Sequence, residues 1–550
     1  MKMKKQNKGA RRYMGLGLSL AIMGLLGGCG AASTTSQAHP GPLVVAENTE
    51  PTTLNPIFGS TLADVNAESG IFNSLVSFTP HGGFQGSLAK TWSVSSSHKT
   101  WTFQLRHGVL WQDGKPFTSK DVVFTFHVDV NPKTAATAVP PIIASQVQSI
   151  TANGPFAVTI TLKHTLPANL FLQAVSYIRI IPEHILGSVP ISKLSSDTAF
   201  ARHPIGTGPL KLVKWVQGGY LKFAANPHYF RGAPHIQSVV MDIVPSPTTA
   251  IAQLESGAID LIDLSNPISP TQYQAAIKHS NIRGYTNPTL SWKNITLVEQ
   301  GLFKDVYVRQ ALDYATPKQQ LIQTVLGGYG TPAYYSQPVN SWQGTTVGIK
   351  KYPFSLAKAR QLLTSHGFHE VHGVMTKNGQ PLKITLYSSS TDPENGLIAR
   401  VIKADWGKIG VPVNIRLVDP NAMLASGGPL YSKTGLNAFL LSWVQGPDPE
   451  SDSYHWLGAN SLLVNPAGGN YARYDNSTVN KLLTEGATTF SQAARAPLYH
   501  QVDRILSQQV PDIFLWWSDS LTMANKNLTG YDPNAYAFAT FWNFQNWRMK

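Results

Sequence analysis

Three histidines and a glutamate near the middle of the chain have the types and spacing that could hold a metal ion. His366, His369 and His372 recur at every third position, and Glu370 lies between the last two. Imidazole nitrogens and carboxylate oxygens are common zinc ligands. The surrounding residues 367–373 begin and end with glycine, which is typical of a solvent-facing loop. We therefore expect no metal and no cofactor here.

Three carboxylates alternate further along the chain, at Asp448, Glu450 and Asp452. Alternating oxygen ligands are typical of calcium loops, but such loops also need a central glycine and a terminal glutamate. This segment has neither at the required positions. It is more typical of a turn than of a calcium site.

The sequence lacks the motifs of nucleophilic and phosphate-handling enzymes. It contains no Gly-x-Ser-x-Gly elbow, and Gly206-Thr207-Gly208 lacks the lysine and the spacing of a phosphate loop. We therefore predict a binding protein and not an enzyme. An exported hydrolase is the alternative from another class, and it would need a nucleophile paired with a base in a cleft.

The stretch Ala438–Trp456 has the pattern of a cleft wall. Its first half is apolar enough for a buried strand, and the turn Gly446-Pro447-Asp448-Pro449 then ends pairing. The last backbone groups of such a strand are free to pair with a ligand. The alternative is a core strand followed by a surface loop. The aromatic residues Trp443, Tyr454 and Trp456 could likewise stack on a ligand or fill the core.

The N-terminus has the pattern of an export signal. Basic residues between Lys2 and Arg12 precede the apolar run Met14–Leu26, which is too short to span a membrane. The run ends in Leu26-Gly27-Gly28-Cys29, which resembles a bacterial lipobox, and Cys29 is the only cysteine. We predict a lipid-anchored protein with a flexible tether over residues 29–40. The alternative is a plain signal peptide with an incidental cysteine.

The composition indicates a large extracytoplasmic protein with more than one lobe. The chain has 550 residues, and 42% of them are hydrophobic. Only 13% are charged, and the formal net charge is +14. Outside the leader the basic residues form no run of five, so we do not expect nucleic-acid binding. The low acidic content suits an acidic habitat, because few carboxylates must stay ionised there.

The first half of the mature chain predicts a strand, a helix and a β-meander. Leu43–Ala46 reads as the first strand and Thr61–Val76 as a helix. The alternating residues Trp101, Phe103 and Leu105 indicate a half-buried strand. Thr118, with Asp121 three residues later, predicts a helix N-terminus. In the second half, strands alternate with helices, which favours an α/β lobe.

An ordered set of motifs resembles family 5 extracellular solute-binding proteins, the oligopeptide, dipeptide and nickel receptors of ABC importers. The motifs extend over nearly the whole mature chain, from Leu88-Ala89-Lys90-Thr91-Trp92 and Asp113-Gly114-Lys115-Pro116-Phe117 to Gly206-Thr207-Gly208-Pro209-Leu210 and Gly469-Asn470-Tyr471. Each motif alone is weak, but their order is specific.

The resemblance implies a two-lobed, periplasmic-binding-protein-like α/β fold of type II, cluster C, with an extra subdomain in the N-terminal lobe. Residues 1–28 would be the signal peptide. The first lobe would comprise residues 41–75, 181–285 and 510–550, with residues 76–180 as its extra subdomain. The second lobe would comprise residues 286–509.

The resemblance also implies where a ligand would lie. In the peptide receptors the ligand pairs its backbone with short strands from both lobes. The matching positions, with nearby polar and aromatic candidates, are Ser60, Thr61, Leu62, Ser442, Trp443, Val444, Gln445, Gly446, Asp448, Tyr454 and Trp456.

One matching position departs from the family pattern. The peptide receptors place an aspartate three residues after the tryptophan, where it binds the ligand's ammonium, but this chain has Gly446 there. Either Asp448 binds the ammonium instead, or the ligand has no ammonium at this point. A buried ammonium without a carboxylate partner would be costly.

The function that we predict is a monomeric receptor that captures an oligopeptide between two lobes and delivers it to ABC permease subunits in the membrane. It would be held on the outer face of the cell membrane by lipid on Cys29. Alternatives on the same fold are an oligosaccharide or nickel-chelate receptor, or a sensor or chaperone without transport.

Overall fold

The computed structural model describes residues 41–550 apart from 264–266, 339–340, 426, 535 and 537–538. The predicted signal peptide, the tether and Cys29 lie outside the described residues. No helix in the described part of the chain is long and apolar enough to cross a membrane.

The described strands, numbered in chain order, belong to one large sheet and four smaller ones. They are β1 Leu43–Glu47, β2 Val76–Phe78, β3 Phe84–Gly86, β4 Ala89–Val94, β5 Thr100–Leu105, β6 Val147–Ala152, β7 Ala157–Leu162, β8 Leu210–Val216, β9 Tyr220–Ala225, β10 Ser238–Ile243, β11 Leu261–Ile262, β12 Ile282–Leu297, β13 Gly330–Pro332, β14 His369–Val371, β15 Val374–Lys377, β16 Gln380–Pro381, β17 Ile384–Ser389, β18 Val413–Val418, β19 Leu436–Val444, β20 Asp512–Asn525, β21 Leu528–Thr529 and β22 Arg548–Met549.

The described helices lie between these strands. They are α1 Leu62–Ile71, α2 Ser119–Val130, α3 Pro141–Gln146, α4 Ala168–Tyr177, α5 Glu183–Leu186, α6 Thr198–Arg202, α7 Pro247–Ser256, α8 Pro270–Ala276, α9 Val306–Tyr314, α10 Lys318–Leu326, α11 Leu356–Ser365, α12 Pro393–Lys408, α13 Pro420–Leu424, α14 Ser451–Trp456, α15 Ser477–Thr488 and α16 Gln492–Gln509.

Two long strands run through the middle of the large sheet. The strand order is β18-β17-β19-β12-β20-β11-β1-β10-β9-β8, and β13 also pairs with β20. β12 and β20 are 16 and 14 residues long and pair antiparallel along most of their length. Their register shifts between Pro288 and Trp292 and again between Lys293 and Asn294. The two halves of this strand pair have different neighbours, with β11 beside one half and β13 and β19 beside the other.

Separate hydrophobic clusters lie on either side of these shifts. One contains residues from Leu43 to Trp547 and packs around β1, β9 and β10. We call its part of the chain the first lobe. Another contains residues from Ile295 to Trp516 and packs around β12, β17 and β19. We call its part the second lobe. Parallel pairing of β17 with β18 and β19 gives the second lobe the predicted α/β character.

A third cluster, from Leu75 to Ile180, fills a smaller unit built on the antiparallel sheet β4-β5-β7-β6. Trp101, Phe103 and Leu105 on β5 are buried in it, as their alternation predicts. Thr118 caps α2 in a capping box with Asp121, which confirms the predicted helix start. Ile205, Phe230 and Phe490 also pack against this cluster from elsewhere in the chain.

Candidate functional site

The C-terminal end of β19 has a free edge. On one side, β19 pairs with β12 as far as Val444. On the other side, its pairing with β17 ends at Leu440. Residues 441–444 therefore have no strand neighbour on that side among the described residues. Val444 is 64% exposed and Ser442 is exposed as well. The backbone here can accept another strand.

Trp443 lies half-buried beside this edge, among other aromatic rings. Its ring centroid is 4.3 Å from that of His455 and 6.4 Å from that of Tyr454. Tyr454 is 40% exposed. A β-carbon at Gly469 would come within 2.1 Å of the Tyr454 ring, so a glycine is needed there. Trp443 and Tyr454 thus offer aromatic surface next to the free edge.

Trp456 is a core residue, so the alternative that it stacks on a ligand is wrong for this conformation. Its side chain is 2% exposed, and its indole donates to Ser336 Oγ at 3.2 Å. It packs against Trp292 and Phe514. Its neighbour His455 is also buried, and desolvation lowers the pKa of this imidazole to about 4. His455 is therefore neutral at physiological pH.

Asp448 is tied into a closed ion pair. Its two carboxylate oxygens accept from the Arg495 guanidinium at 2.6 and 2.7 Å, and both side chains are almost fully buried. Burial alone would lower the pKa of Arg495, but the hydrogen bonds and charge of Asp448 outweigh it and raise that pKa. Arg495 also donates to Gly486 O and to the Tyr499 hydroxyl. Bidentate geometry of this kind is the strong form of a charge-assisted hydrogen bond.

This pair removes the geometric basis for an ammonium at Asp448. Both oxygens already have a cationic partner, and Asp448 Oδ1 also accepts from the Glu450 amide at 3.0 Å. Gly446 supplies no carboxylate. Of the two alternatives left by the sequence, the structure favours a ligand without an ammonium at this point.

Ser60, Thr61 and Leu62 do not form the short strand that the resemblance implies. Thr61 caps α1 in a capping box with Asp64, and Leu62 is the first residue of the helix. The amides of Ser60 and Thr61 donate to Asp64 Oδ2 at 3.1 and 2.9 Å. These two donors are therefore unavailable to a ligand backbone. The helix itself is confirmed, but it ends at Ile71 and not at Val76.

Ser60 nevertheless lies on the wall of a cavity of about 470 Å³ in the first lobe. The cavity opens between the main part of that lobe and its smaller antiparallel unit. Hydroxyl, amide and guanidinium groups share its wall with a few aromatic rings: Ser60, Ser69, Asn73, Ser74, Ser77, Ser87, Thr137, Ser176 and the two arginines Arg179 and Arg231, with Phe72, Phe78, Tyr177 and Trp542. A cavity of this size can hold a small organic solute.

The two arginines of the cavity are held differently. Arg231 donates to Gly86 O at 2.6 Å and to Ser77 Oγ at 3.3 Å. Arg179 donates to Val65 O at 3.1 Å and to Glu68 Oε2 at 3.2 Å. The Glu68 side chain is fully buried, whereas that of Arg179 is 17% exposed.

Helix α4 connects the cavity to the end of β19. Gln173 accepts from the Asp448 amide at 2.9 Å, and a β-carbon at Gly446 would lie 3.3 Å from the Gln173 amide nitrogen. Ser176, three residues further along, lines the cavity and donates to Gln173 O. Gln445 is buried and donates to Asp452 Oδ1 at 3.1 Å. The turn after β19 therefore rests against the helix that forms part of the cavity wall.

Arg179 and the serines were not among the residues that the sequence pointed to. A signal exists for Arg179, because it is a lone charge in the otherwise apolar run Ile178-Arg179-Ile180-Ile181. No local signal marks the serines, which come from separate segments.

The side chains of the histidine-rich segment have partners within the protein. His366 stacks on Tyr307, and Glu370 forms an ion pair with Arg360. Among the described residues no three His, Cys, Asp or Glu side chains are grouped to hold a metal.

Comparison with known proteins identifies the family. The profile of bacterial extracellular solute-binding proteins, family 5 (middle), matches residues 83–462. The chain belongs to this family. It is therefore a solute-binding receptor with the two-lobed α/β fold, as predicted, and the proteins of this family are binding receptors and not enzymes.

Individual relatives match almost the whole chain. The oligopeptide-binding protein AppA of Bacillus subtilis is 28% identical over 544 residues, which cover 96% of each chain. Its structure in complex with a nonapeptide matches with a TM-score of 0.69 at 27% identity, over 93% of this chain and 99% of that one. NikZ from Campylobacter jejuni in complex with Ni(L-His) matches with a TM-score of 0.69 at 26% identity, over 92% and 99%.

Proposed function

We propose that this receptor binds an oligopeptide between the free edge of β19 and the cavity of the first lobe, and delivers it to an ABC permease. The main observation behind this proposal is the free edge of β19. On the side away from β12, residues 441–444 have no strand partner among the described residues, and they lie beside the half-buried ring of Trp443 and the exposed ring of Tyr454. Main-chain pairing of a peptide at such an edge gives affinity that depends little on side chains. The similarity to AppA supports a peptide ligand.

The cavity would take one end or one side chain of the peptide. Its serines and arginines can donate to oxygen atoms of the solute, and Phe72, Phe78 and Trp542 offer apolar surface. Ser60 would contact the solute through this wall, and Thr61 and Leu62 would border it. Because Asp448 is paired with Arg495, the peptide's N-terminus would not be anchored there.

Movement of the lobes would occur about β12 and β20, the strands that both lobes share. The boundaries expected from the sequence are residues 41–75, 181–285 and 510–550 for the first lobe, 76–180 for the subdomain and 286–509 for the second lobe. Because residues up to Trp516 pack in the second lobe's cluster, we propose that the last boundary lies within β20. Closure would bury the solute and present a closed surface to the permease. We expect the receptor to act as a monomer.

The main test is a thermal-shift screen of residues 41–550 with alanine pentapeptide, a matched pentapeptide with N-methylated backbone amides, maltopentaose and nickel with histidine. A peptide at 100 times its dissociation constant should add about 2.7 kcal/mol to the free energy of unfolding. We expect a shift with the unmodified peptide that N-methylation reduces. A shift with maltopentaose or nickel–histidine alone would contradict the peptide assignment.

The membrane attachment that we propose depends on Cys29. The apolar run and the Leu26-Gly27-Gly28-Cys29 motif support lipidation of this residue. Replacing Cys29 with serine should move the protein from the membrane fraction to the soluble fraction of the cell exterior. Labelling with a fatty-acid analogue should be lost in the same variant. Unchanged membrane attachment of Cys29→Ser would contradict the anchor.

A further inference from the structure

Arg179 and Glu68 form an incomplete ion pair in the wall of the first-lobe cavity. The Arg179 guanidinium reaches Glu68 Oε2 at 3.2 Å, and it lines the cavity from the same position. Glu68 Oε1 has no hydrogen-bond partner among the described residues, although it is buried. A carboxylate that was ionised throughout would leave this oxygen uncompensated, which is costly away from water.

The surroundings of Glu68 favour a bound proton. Desolvation raises the pKa of this carboxyl to about 8, although Arg179 lowers it, and the nearby charge of Asp64 raises it further. Asp64 lies one turn earlier on α1 and accepts from the amides of Thr52, Ser60 and Thr61. Below pH 8 the guanidinium of Arg179 therefore lacks a full negative charge beside it.

Gly59, in the loop before α1, lies close to the carboxyl group of Glu68. A β-carbon at Gly59 would lie 2.2 Å from Glu68 Oε1, so there is no room for a side chain at this position. Gly59, Val65 and Arg179 all line the cavity, whereas Glu68 lies behind them. A solute in the cavity can therefore reach the guanidinium without first displacing the side chain of Glu68.

We propose that a carboxylate of the solute becomes the counter-ion of Arg179, and that Glu68 carries the proton that makes this exchange possible. The inference rests on the proposed function, because it assumes that the solute occupies this cavity. No covalent bond changes. Above pH 8, where Glu68 is ionised, binding takes up one proton from the solvent, because two carboxylates cannot share one buried guanidinium at low cost.

The second arginine of the cavity does not take this role. Arg231 donates to two neutral acceptors, Gly86 O and Ser77 Oγ, so no carboxyl group in those hydrogen bonds can take up a proton when a solute binds. Arg179 is therefore the cation that would contact the carboxylate of the solute. Glu68 does not touch the solute and acts on binding only through Arg179, as a positioning residue. The solute class that follows is one with a free carboxylate, such as a peptide with an unmodified C-terminus.

The test uses two probes on the purified protein between pH 6 and 9.5. One is an equimolar mixture of tripeptides, compared with the same mixture amidated at the C-terminus. The other is sodium succinate, compared with sodium chloride at equal ionic strength. Wild-type affinity for the free carboxylates should fall up to about tenfold for each pH unit above 8. Glu68→Gln should show no such fall and should bind about tenfold more tightly than wild type at pH 9.

Two variants and one further measurement complete the design. Arg179→Met should lose the response to both free carboxylates, whereas Arg416→Met, at an exposed position of β18, should keep it. Calorimetry at pH 9 in two buffers of different ionisation enthalpy should show uptake of one proton by wild type and none by Glu68→Gln. The proton count on wild type decides the question even if a variant does not fold.

The outcomes separate this inference from the proposed function. Equal binding of free and amidated tripeptides, with no proton uptake, would overturn the exchange and leave the peptide receptor intact. Binding of succinate with the expected proton uptake, but of neither tripeptide mixture, would overturn the peptide assignment and support the exchange. No response to any probe would overturn both.

Discussion

Asp448 and Glu68 are both buried carboxylates beside an arginine, yet the two pairs are built differently. In the second lobe, Asp448 binds Arg495 through both oxygens at 2.6 and 2.7 Å. In the first lobe, Glu68 meets Arg179 through one oxygen at 3.2 Å, and the other oxygen has no hydrogen-bond partner among the described residues. The closed pair fixes the turn after β19, and the open pair leaves a cation facing a cavity.

The difference shows that one buried ion pair can stabilise the fold while another remains available to bind a solute. A pair whose donors and acceptors are all satisfied gains nothing from a solute. A pair with an unsatisfied group beside a cavity can gain from one.

The largest effect is expected from breaking the closed pair. Arg495→Met leaves the Asp448 carboxylate buried without a cation, which should cost about 3–5 kcal/mol of unfolding free energy. The control is Arg360→Met, which breaks the Arg360–Glu370 pair. That pair has the same 2.6 Å separation, but its side chains are 43% and 44% exposed. The control should cost less than about 1 kcal/mol. Denaturant unfolding measures both, and equal losses would contradict the assignment.

A second comparison concerns the two tryptophans near β19. Trp456→Ala should lower the unfolding free energy by about 3–5 kcal/mol, because a fully buried indole is lost from the core. Trp443→Ala should cost much less stability but weaken peptide binding. Denaturant unfolding and titration calorimetry on both variants check this. A large stability loss with unchanged binding in Trp443→Ala would place that residue in the core instead.

The third comparison concerns how the free energy of unfolding depends on pH. The contributions of Glu68 in the first lobe and His455 in the second lobe should change in opposite directions as pH rises. The folded pKa of Glu68 is about 8 against an ordinary 4.5, so the unfolded chain releases this proton first as pH rises. Stability should therefore fall by about 3 kcal/mol between pH 4.5 and 7 from this group. The folded pKa of His455 is about 4 against 6.5, so its contribution should fall by about 3 kcal/mol as pH drops from 6.5 to 4.

The variants Glu68→Gln and His455→Gln isolate these contributions. The stability of Glu68→Gln relative to wild type should rise with pH, and that of His455→Gln should rise as pH falls. Thermal unfolding across pH 4 to 8 measures both. Parallel curves for wild type and a variant would show that the group does not titrate as its burial implies.

The smallest effect is expected from restoring the family's aspartate. Gly446→Asp should create a preference for peptides with a free N-terminus over acetylated ones, on the order of tenfold, or about 1.4 kcal/mol. The Gln173 amide, 3.3 Å from the added β-carbon, must shift slightly. Gly446→Asn is the matched control, since it has the same shape without the charge. The absence of any preference in Gly446→Asp would show that the ligand's N-terminus lies elsewhere.

Much of the fold follows from local patterns, whereas the contacts of the site do not. The alternation on β5 and the capping box of α2 were predicted because neighbours in sequence decide them. Ser60–Leu62 were assigned to a strand from the family pattern, although Thr61 and Asp64 form a helix cap there. The helix predicted over residues 61–76 was the better guide at this point.

The charges of the site depend on residues far apart in sequence. Arg495 lies 47 positions after Asp448, and Arg179 lies 111 positions after Glu68. Periodicity and turn signals describe only near neighbours. The sequence could therefore show that Asp448 was unusual, but it could not show which cation holds it.

The path of β20 has a consequence for the order in which the protein folds. The first lobe's cluster joins Leu43 to Trp547, and β20 lies between β11 and β12 in the sheet. A chain made from its N-terminus cannot complete that core until its last strands are available. Until then, apolar faces of β1 and β11 stay uncovered and prone to aggregate. The core of the first lobe therefore stays incomplete for most of the chain's synthesis.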